Sequence, residues 1–209
     1  MSELLRRATQ PALHRGLDGV VVDESEISRV FGDAGQLIYR GYDIDDLARR
    51  ASFEEVLYLL WQGSLPSRDE LEAFSEEMAD ERAIDEAIVD TLDSLADAGE
   101  TPMAALRTGV SMLSAYDPEA DADPRDLEAA FRQGRRIAAA MPTIVAAYDR
   151  LRRDEAPVEP RSDLSHAANF LYMLSGEAPD DVFTDTFDMA LTLHADHGLN
   201  ASTFTTLVV

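Results

Sequence analysis

From Gly16 to Tyr42 the apolar residues fall into three short β-prone clusters, VVV, ISRVF and QLIYR. GDAG stands between the last two and predicts a hairpin turn. Past Tyr42 the pattern becomes helical. Ser52 and Glu55 frame a capping box ahead of FEEVLYLLWQG, and Gly63 ends that helix. LPSRDELEAFSEEMADE repeats the arrangement with Ser67 and Glu70. AIDEAIVDTLDSLADAG and PMAALRTGVSMLSAY predict two more helices, parted by Gly99 to Pro102.

The second half continues in the same manner. DPEADADP, residues 117–124, reads as an acidic loop. PRDLEAAFRQGRRIAAAMPTIVAAYDRLRRDE predicts one long helix that Pro142 should kink or interrupt, with RLRRDE as its solvated end. APVEPRSD, residues 156–163, is a proline-bearing connection. SHAANFLYMLSGEAPDD predicts a helix ended by Gly176, with Met173 filling core space. A further helix starts near Pro179 and runs through FTDTFDMALTLHADHG, and another begins at Asn200. The expected fold class is all-α with a small N-terminal β element. Residues 1–42 carry the short hairpin and residues 43–209 the helices.

Charge changes this picture most. The chain has 41 acidic against 18 basic residues, a net charge of -23, and every basic residue is arginine. That sign disfavours binding to nucleic-acid backbones and to anionic membranes, so neither is an expected partner. The acidity is spread along the chain, which argues against a disordered acidic tail. Acidity together with loss of lysine points to a protein of an extreme halophile, where molar salt shortens screening to about 3 Å or less. There is no cysteine, hence neither a disulfide framework nor a thiolate site. A reducing compartment, the cytoplasm, is expected. No apolar run approaches the roughly 20 residues that span a bilayer.

The chemistry concentrates in LTLHADHGLNASTF, residues 191–204. His194 and His197 flank Asp196, and Asn200, Ser202 and Thr203 follow. The histidine spacing permits a metal pair, but no HExxH spacing or further ligand set accompanies it, and no metal is expected. Gly198 can end one helix and Asn200 can cap the next. His197 then lies at a helix–helix junction, where imidazole and free backbone N–H groups meet an anion such as a carboxylate. Ser202, one turn into the next helix, is placed to orient a neighbouring group.

LTLHADHGLNASTFTTLVV resembles a segment of the citrate synthase family. So do GLDGVVVDESEISRVFGDAGQLIYRGYDIDDLARRASFEEVLYLLWQGSLPS and LSHAANFLYMLSGEAPDD, in the family's order and spacing. PMAALRTGVSMLSAYDP and RIAAAMPTIVAAYDR are similar to interior helices of that family. The resemblance implies the multi-helical large domain of a two-domain homodimer. It implies an acyltransferase that condenses acetyl-CoA with oxaloacetate to citrate and CoA, with acetyl-CoA as substrate and no cofactor or metal. By the same resemblance His197 is the early oxaloacetate-binding histidine, Ser202 positions the proton-donating histidine, and His194 and Asn200 support the pocket. Helices near 102–115 and 134–150, rich in small residues, match helices that pack across the dimer. Arg40 in YRGYDI belongs to a family block but reads as structural.

The resemblance also implies a departure. The family's proton-donating and ketone-polarising histidines, its catalytic aspartate and its carboxylate-clamping arginines lie beyond the point matching Val209. So does the small domain with most of the CoA site, and no CoA-binding residue is assigned. The chain is expected to be roughly the N-terminal half of the enzyme, inactive alone. Two alternatives stand beside this: a 2-methylcitrate synthase using propionyl-CoA, and a non-catalytic helical dimerisation protein.

Overall fold

The computed structural model describes residues 24–208 except Pro124, His197 and Asn200. The VVV cluster therefore lies outside the described residues. ISRVF and QLIYR form the hairpin the pattern calls for. Strands β1 (Ser28–Phe31) and β2 (Gln36–Tyr39) pair antiparallel across a short 3-10 turn, Gly32–Ala34, with Gly35 at φ 62. A two-residue strand β3 (Tyr42–Asp43) pairs with β2 to complete the sheet.

Helices follow: α1 (Ile44–Arg50), α2 (Phe53–Gln62), α3 (Arg68–Asp80), α4 (Glu86–Asp97) and α5 (Pro102–Leu113). Then come α6 (Leu127–Leu151), α7 (His166–Ser175), α8 (Asp181–His194) and α9 (Ala201–Val208). Both capping boxes are present. Ser52 Oγ accepts from the Glu55 N–H at 3.2 Å, and Glu55 accepts from the Ser52 N–H at 2.7 Å. Ser67 and Glu70 do the same for α3. Gly63 ends α2 at φ 86, a conformation that L side chains rarely adopt. Helix α1 was not distinguished in the sequence, being only seven residues long.

The long α6 is the spine, roughly 37 Å at 1.5 Å per residue, and packs against α3, α4, α5 and α7. Ile88 and Leu92 from α4 and Ala105 from α5 meet Ile144, Ala147 and Tyr148 of α6 in one core. Leu57, Phe74, Met78 and Ala139 fill a second, between α2, α3 and α6. The third core matters most for the site: Tyr39, Leu47, Val56, Leu59 and Leu60 join the sheet to α1 and α2.

Two expectations need correcting. Helix α6 runs unbroken through Pro142, so of the two outcomes expected there the interruption does not occur. Proline costs about 3 kcal/mol in a helix interior, but Ala139, Ala140, Thr143 and Ile144 are all buried on both sides of it, so tertiary packing outweighs the missing hydrogen bond. The RLRRDE end is not simply solvated. Arg150 Nε donates to the Ala156 carbonyl at 2.6 Å and Nη1 to the Leu174 carbonyl at 3.2 Å. Arg153 also reaches Leu174 O, so these arginines satisfy the free carbonyl end of α7.

The acidic loop is likewise anchored. Arg132 Nη2 meets Glu119 at 2.7 Å, and Arg136 meets Asp117 at 2.7 Å and Glu119 at 2.8 Å. Hydrogen bonds from Arg132, then from Arg136, hold the Glu119 carboxyl down at about 2. Gly109 serves the chain's own packing. A Cβ on Gly109 would lie 2.8 Å from Ile144 Cγ2. Overpacking costs about 1–3 kcal/mol, and the gain in helix propensity returns up to about 1 kcal/mol. Gly109→Ala is therefore expected to lower stability by about 1 kcal/mol in a high-salt denaturation melt. A variant as stable as the parent would contradict that close approach.

Candidate functional site at the end of helix α8

Helix α8 stops earlier than its sequence suggests. Its last residue is His194, with Ala195 as cap, whereas Gly198 lies beyond it in the turn at φ 89. The reason is a competing set of bonds. The Asp196 N–H donates to Tyr39 Oη at 3.1 Å, and Tyr39 Oη–H donates to the Asp196 carbonyl at 2.7 Å. The Gly198 N–H donates to the Asp196 carboxylate at 2.9 Å, and Ser28 Oγ–H donates to the same carboxylate oxygen. These bonds replace helical ones, so the chain turns away from the α8 axis. Burial pushes the Tyr39 phenol up from its ordinary value, so the hydroxyl keeps its proton and remains a donor.

Of the residues singled out in the sequence, His197 and Asn200 lie outside the described residues. His194 is exposed, and its Nδ1 lies 2.7 Å from the Ala190 carbonyl of its own helix. In the tautomer with hydrogen on Nδ1 this is a donor bond within α8. Ser202 is exposed in the first turn of α9, and its carbonyl accepts from Thr206 Oγ1 at 3.0 Å. The turn thus sets His194 and Ser202 on the two helices that flank residues 195–200. Arg40 is structural, as expected: Nη2 donates to the Leu60 carbonyl at 3.1 Å, and Nη1 pairs with Glu26 at 3.6 Å.

Sequence reasoning missed the groups that hold α8 itself. Asp188 accepts from the Phe53 N–H at 3.0 Å, tying the middle of α8 to the start of α2. The buried Glu54 accepts from the His166 N–H at 2.7 Å, tying α2 to the start of α7. Arg82, also buried, donates to the carbonyls of Arg161 and Leu164 at 2.6 and 2.9 Å. Burial holds the His166 imidazole below its ordinary value, so it stays neutral in the fold. Glu54 stands in the first turn of α2, but nothing local said that it would serve the start of α7, and Asp188 in mid-helix and Arg82 gave no local signal.

Burial pushes the Asp188 carboxyl up to about 6, with Glu54, Asp185 and Glu55 adding like-charge repulsion against the Phe53 hydrogen bond. Between about pH 4 and 6 the folded state therefore binds the proton more tightly than the unfolded chain. The stabilisation from that proton is complete below pH 4 and lost as pH rises through 6. Asp188→Asn keeps an oxygen for the Phe53 N–H and removes the charge. It is expected to melt higher than the parent at pH 7.5, by about 1–2 kcal/mol after allowing for partial solvation, and equally at pH 4. The same difference at both pH values would contradict the raised carboxyl.

With this geometry in view, relatives define the class. The family model described as "Citrate synthase, C-terminal domain" matches residues 16–209. Citrate synthase of Haloferax volcanii is 59% identical over 94% of this chain and 52% of its own length. The 2-methylcitrate synthase of Mycobacterium tuberculosis is 42% identical over 96% of this chain and 50% of its own. The crystal structure of citrate synthase from Pyrobaculum aerophilum superimposes with a TM-score of 0.85 at 40% identity, over 91% of this chain and 49% of that one. The chain belongs to the citrate synthase family, a family of acyltransferases. It spans about half the length of the curated relatives it matches. Among the described residues no helix is long and apolar enough to cross a membrane.

Proposed function

We propose that this chain supplies the oxaloacetate-binding junction of a citrate synthase, which condenses acetyl-CoA, oxaloacetate and water to citrate and CoA. The observation that carries the reading is the pinning of Asp196 and Gly198 between helices α8 and α9, in a chain 59% identical to a citrate synthase. His197 donates a hydrogen bond to an oxaloacetate carboxylate. His194 and Asn200 support the pocket. Ser202 orients the proton-donating histidine, which is provided by the part of the enzyme that this chain does not cover. No metal or cofactor takes part, and acetyl-CoA enters as a substrate. The identity to the Mycobacterium 2-methylcitrate synthase is lower, at 42%, which favours acetyl-CoA over propionyl-CoA.

The enzyme works as a homodimer in the cytoplasm of a halophile. Ile137, Met141 and Val145 stand at i, i+4 and i+8 of α6, each more than a third exposed, and Met103 on α5 is 73% exposed. A second copy of the chain covers that apolar stripe. The reading is tested by joining residues 1–209 to the portion of the Haloferax volcanii relative that the chain does not cover. In high salt the chimera is expected to release CoA from acetyl-CoA and oxaloacetate, and faster than from propionyl-CoA. His197→Ala in it should weaken oxaloacetate roughly ten- to a hundredfold, the cost of losing a hydrogen bond to a charged group. A chimera that folds but prefers propionyl-CoA, or an unchanged oxaloacetate KM and kcat in His197→Ala, would refute it.

A further inference from the structure

We propose that an open cavity between the start of α2, helix α3 and the segment leading into α7 binds a small amino acid in its zwitterionic form, the ligand's carboxylate on Arg82 and its ammonium on Glu54. The cavity holds about 380 Å³, and none of its lining residues belongs to the turn after α8, so it is separate from the oxaloacetate junction. Glu54 and Arg82 both line it, and they are only 5% and 3% exposed. Charged residues are almost never buried this far unless they are paired. Yet among the described residues neither takes part in an ion pair.

Each of the two has one side occupied and one side open. Glu54 Oε1 accepts from the His166 N–H at 2.7 Å, which leaves Oε2 without a donor. Arg82 Nη1 donates to the Arg161 and Leu164 carbonyls at 2.6 and 2.9 Å, which leaves Nε and Nη2 without an acceptor. Nε is enclosed, whereas Nη2 and Glu54 Oε2 are not. Burial lowers the Arg82 pKa from its ordinary value, and the Glu54 charge offsets part of that. The two charges therefore feel each other without touching, because each head is tied to a different stretch of backbone. Buried charges left so are destabilising. A ligand that brings an anion to Arg82 and a cation to Glu54 satisfies both, with charge-assisted hydrogen bonds at each end. Glu72 and Glu76 of α3 stand exposed at the rim of the cavity. Their charge opposes a free anion, and Arg82 opposes a free cation. A zwitterion with its ammonium on the Glu54 side meets neither repulsion.

The test is NMR on the chain of residues 1–209 in several-molar salt, with glycine, acetate and methylammonium as probes at equal concentration. Contacts to buried groups survive such salt, since screening acts least on them. Glycine is expected to shift the Arg82 Nε–H and the Ser165 and His166 amide signals in a saturable way, and neither single-charge probe is expected to do so. Glu54→Gln keeps an oxygen for the His166 N–H and removes the charge. It is expected to weaken glycine binding roughly tenfold or more, through loss of one bond between charged groups. No shift with glycine would overturn the proposal. So would shifts of equal size with acetate, or with methylammonium, or an unchanged glycine affinity in folded Glu54→Gln. Should that variant fail to fold, the comparison of the three probes in the unmodified chain decides alone.

Discussion

Below about 1 M salt the chain is expected to lose its helical circular dichroism. The cause is the net charge of -23 and the way the structure arranges it. On α3, Glu72, Glu76 and Asp80 are exposed at successive i, i+4 positions; on α4, Glu86, Asp90, Asp93 and Asp97 do much the same. Side chains so spaced stand about 5–6 Å apart, and each like-charge pair costs a few tenths of a kcal/mol. Screening extends about 8 Å at physiological ionic strength but only about 3 Å at 1 M. Only the higher concentration brings the screening length inside that spacing. The arginines do not offset this stripe by stripe: Arg132, Arg135 and Arg136 gather Glu77, Glu81, Asp117 and Glu119 around α6. Local pairs of this kind add to the longer-range repulsion of the whole net charge, and both draw on a domain stability of only about 5–15 kcal/mol. A full helical spectrum and an ordinary cooperative melt in low-salt buffer would contradict the halophilic reading.

The second large effect is an absence of turnover. Purified residues 1–209 are expected not to release CoA from oxaloacetate and acetyl-CoA. The reaction needs a base at the methyl group and an acid at the other oxygen, each within hydrogen-bond reach. Near the junction the described candidates are already engaged. Asp196 accepts from Ser28 and Gly198, and His194 bonds within its own helix. Asp188 serves the Phe53 N–H. Positioning by His197 and Ser202 does not substitute for a proton carrier. The same chain exposes Met103, Val182 and Phe183 by about two-thirds or more, so it is also expected to bind a hydrophobic dye or self-associate. CoA release that co-purifies with the chain and vanishes in Ser202→Ala would mean that this half holds a complete site.

What was legible in the sequence follows from the range of the forces involved. Helix starts and stops are encoded within four residues, so Ser52, Ser67, Gly63 and Gly176 could be read directly and the structure bears them out. The hairpin was legible for the same reason. The interruption expected at Pro142 did not occur because that expectation weighed a local penalty without the burial around it. The end of α8 misled because its competitor is 157 residues away, in Tyr39. Glu54 and Arg82 were invisible because isolated charged residues read as surface; only the fold brings them to helix ends where a buried charge finds its hydrogen bonds. Gly109 lies against Ile144 within the chain, a close approach that the small-residue pattern alone did not specify. HADHGLNAS was read for its histidines, and Asp196, whose main chain and carboxylate take the hydrogen bonds there, was passed over beside them.

The most direct test of the oxaloacetate junction is an NMR titration of residues 1–209 in several-molar salt. Oxaloacetate, added to millimolar concentration, is expected to move the amide signals of residues 196–202 and the His197 imidazole, with little change elsewhere. His197→Ala is expected to abolish the response and Asp188→Asn to preserve it. Shifts that leave residues 196–202 untouched, or a response of unchanged strength in His197→Ala, would contradict the account.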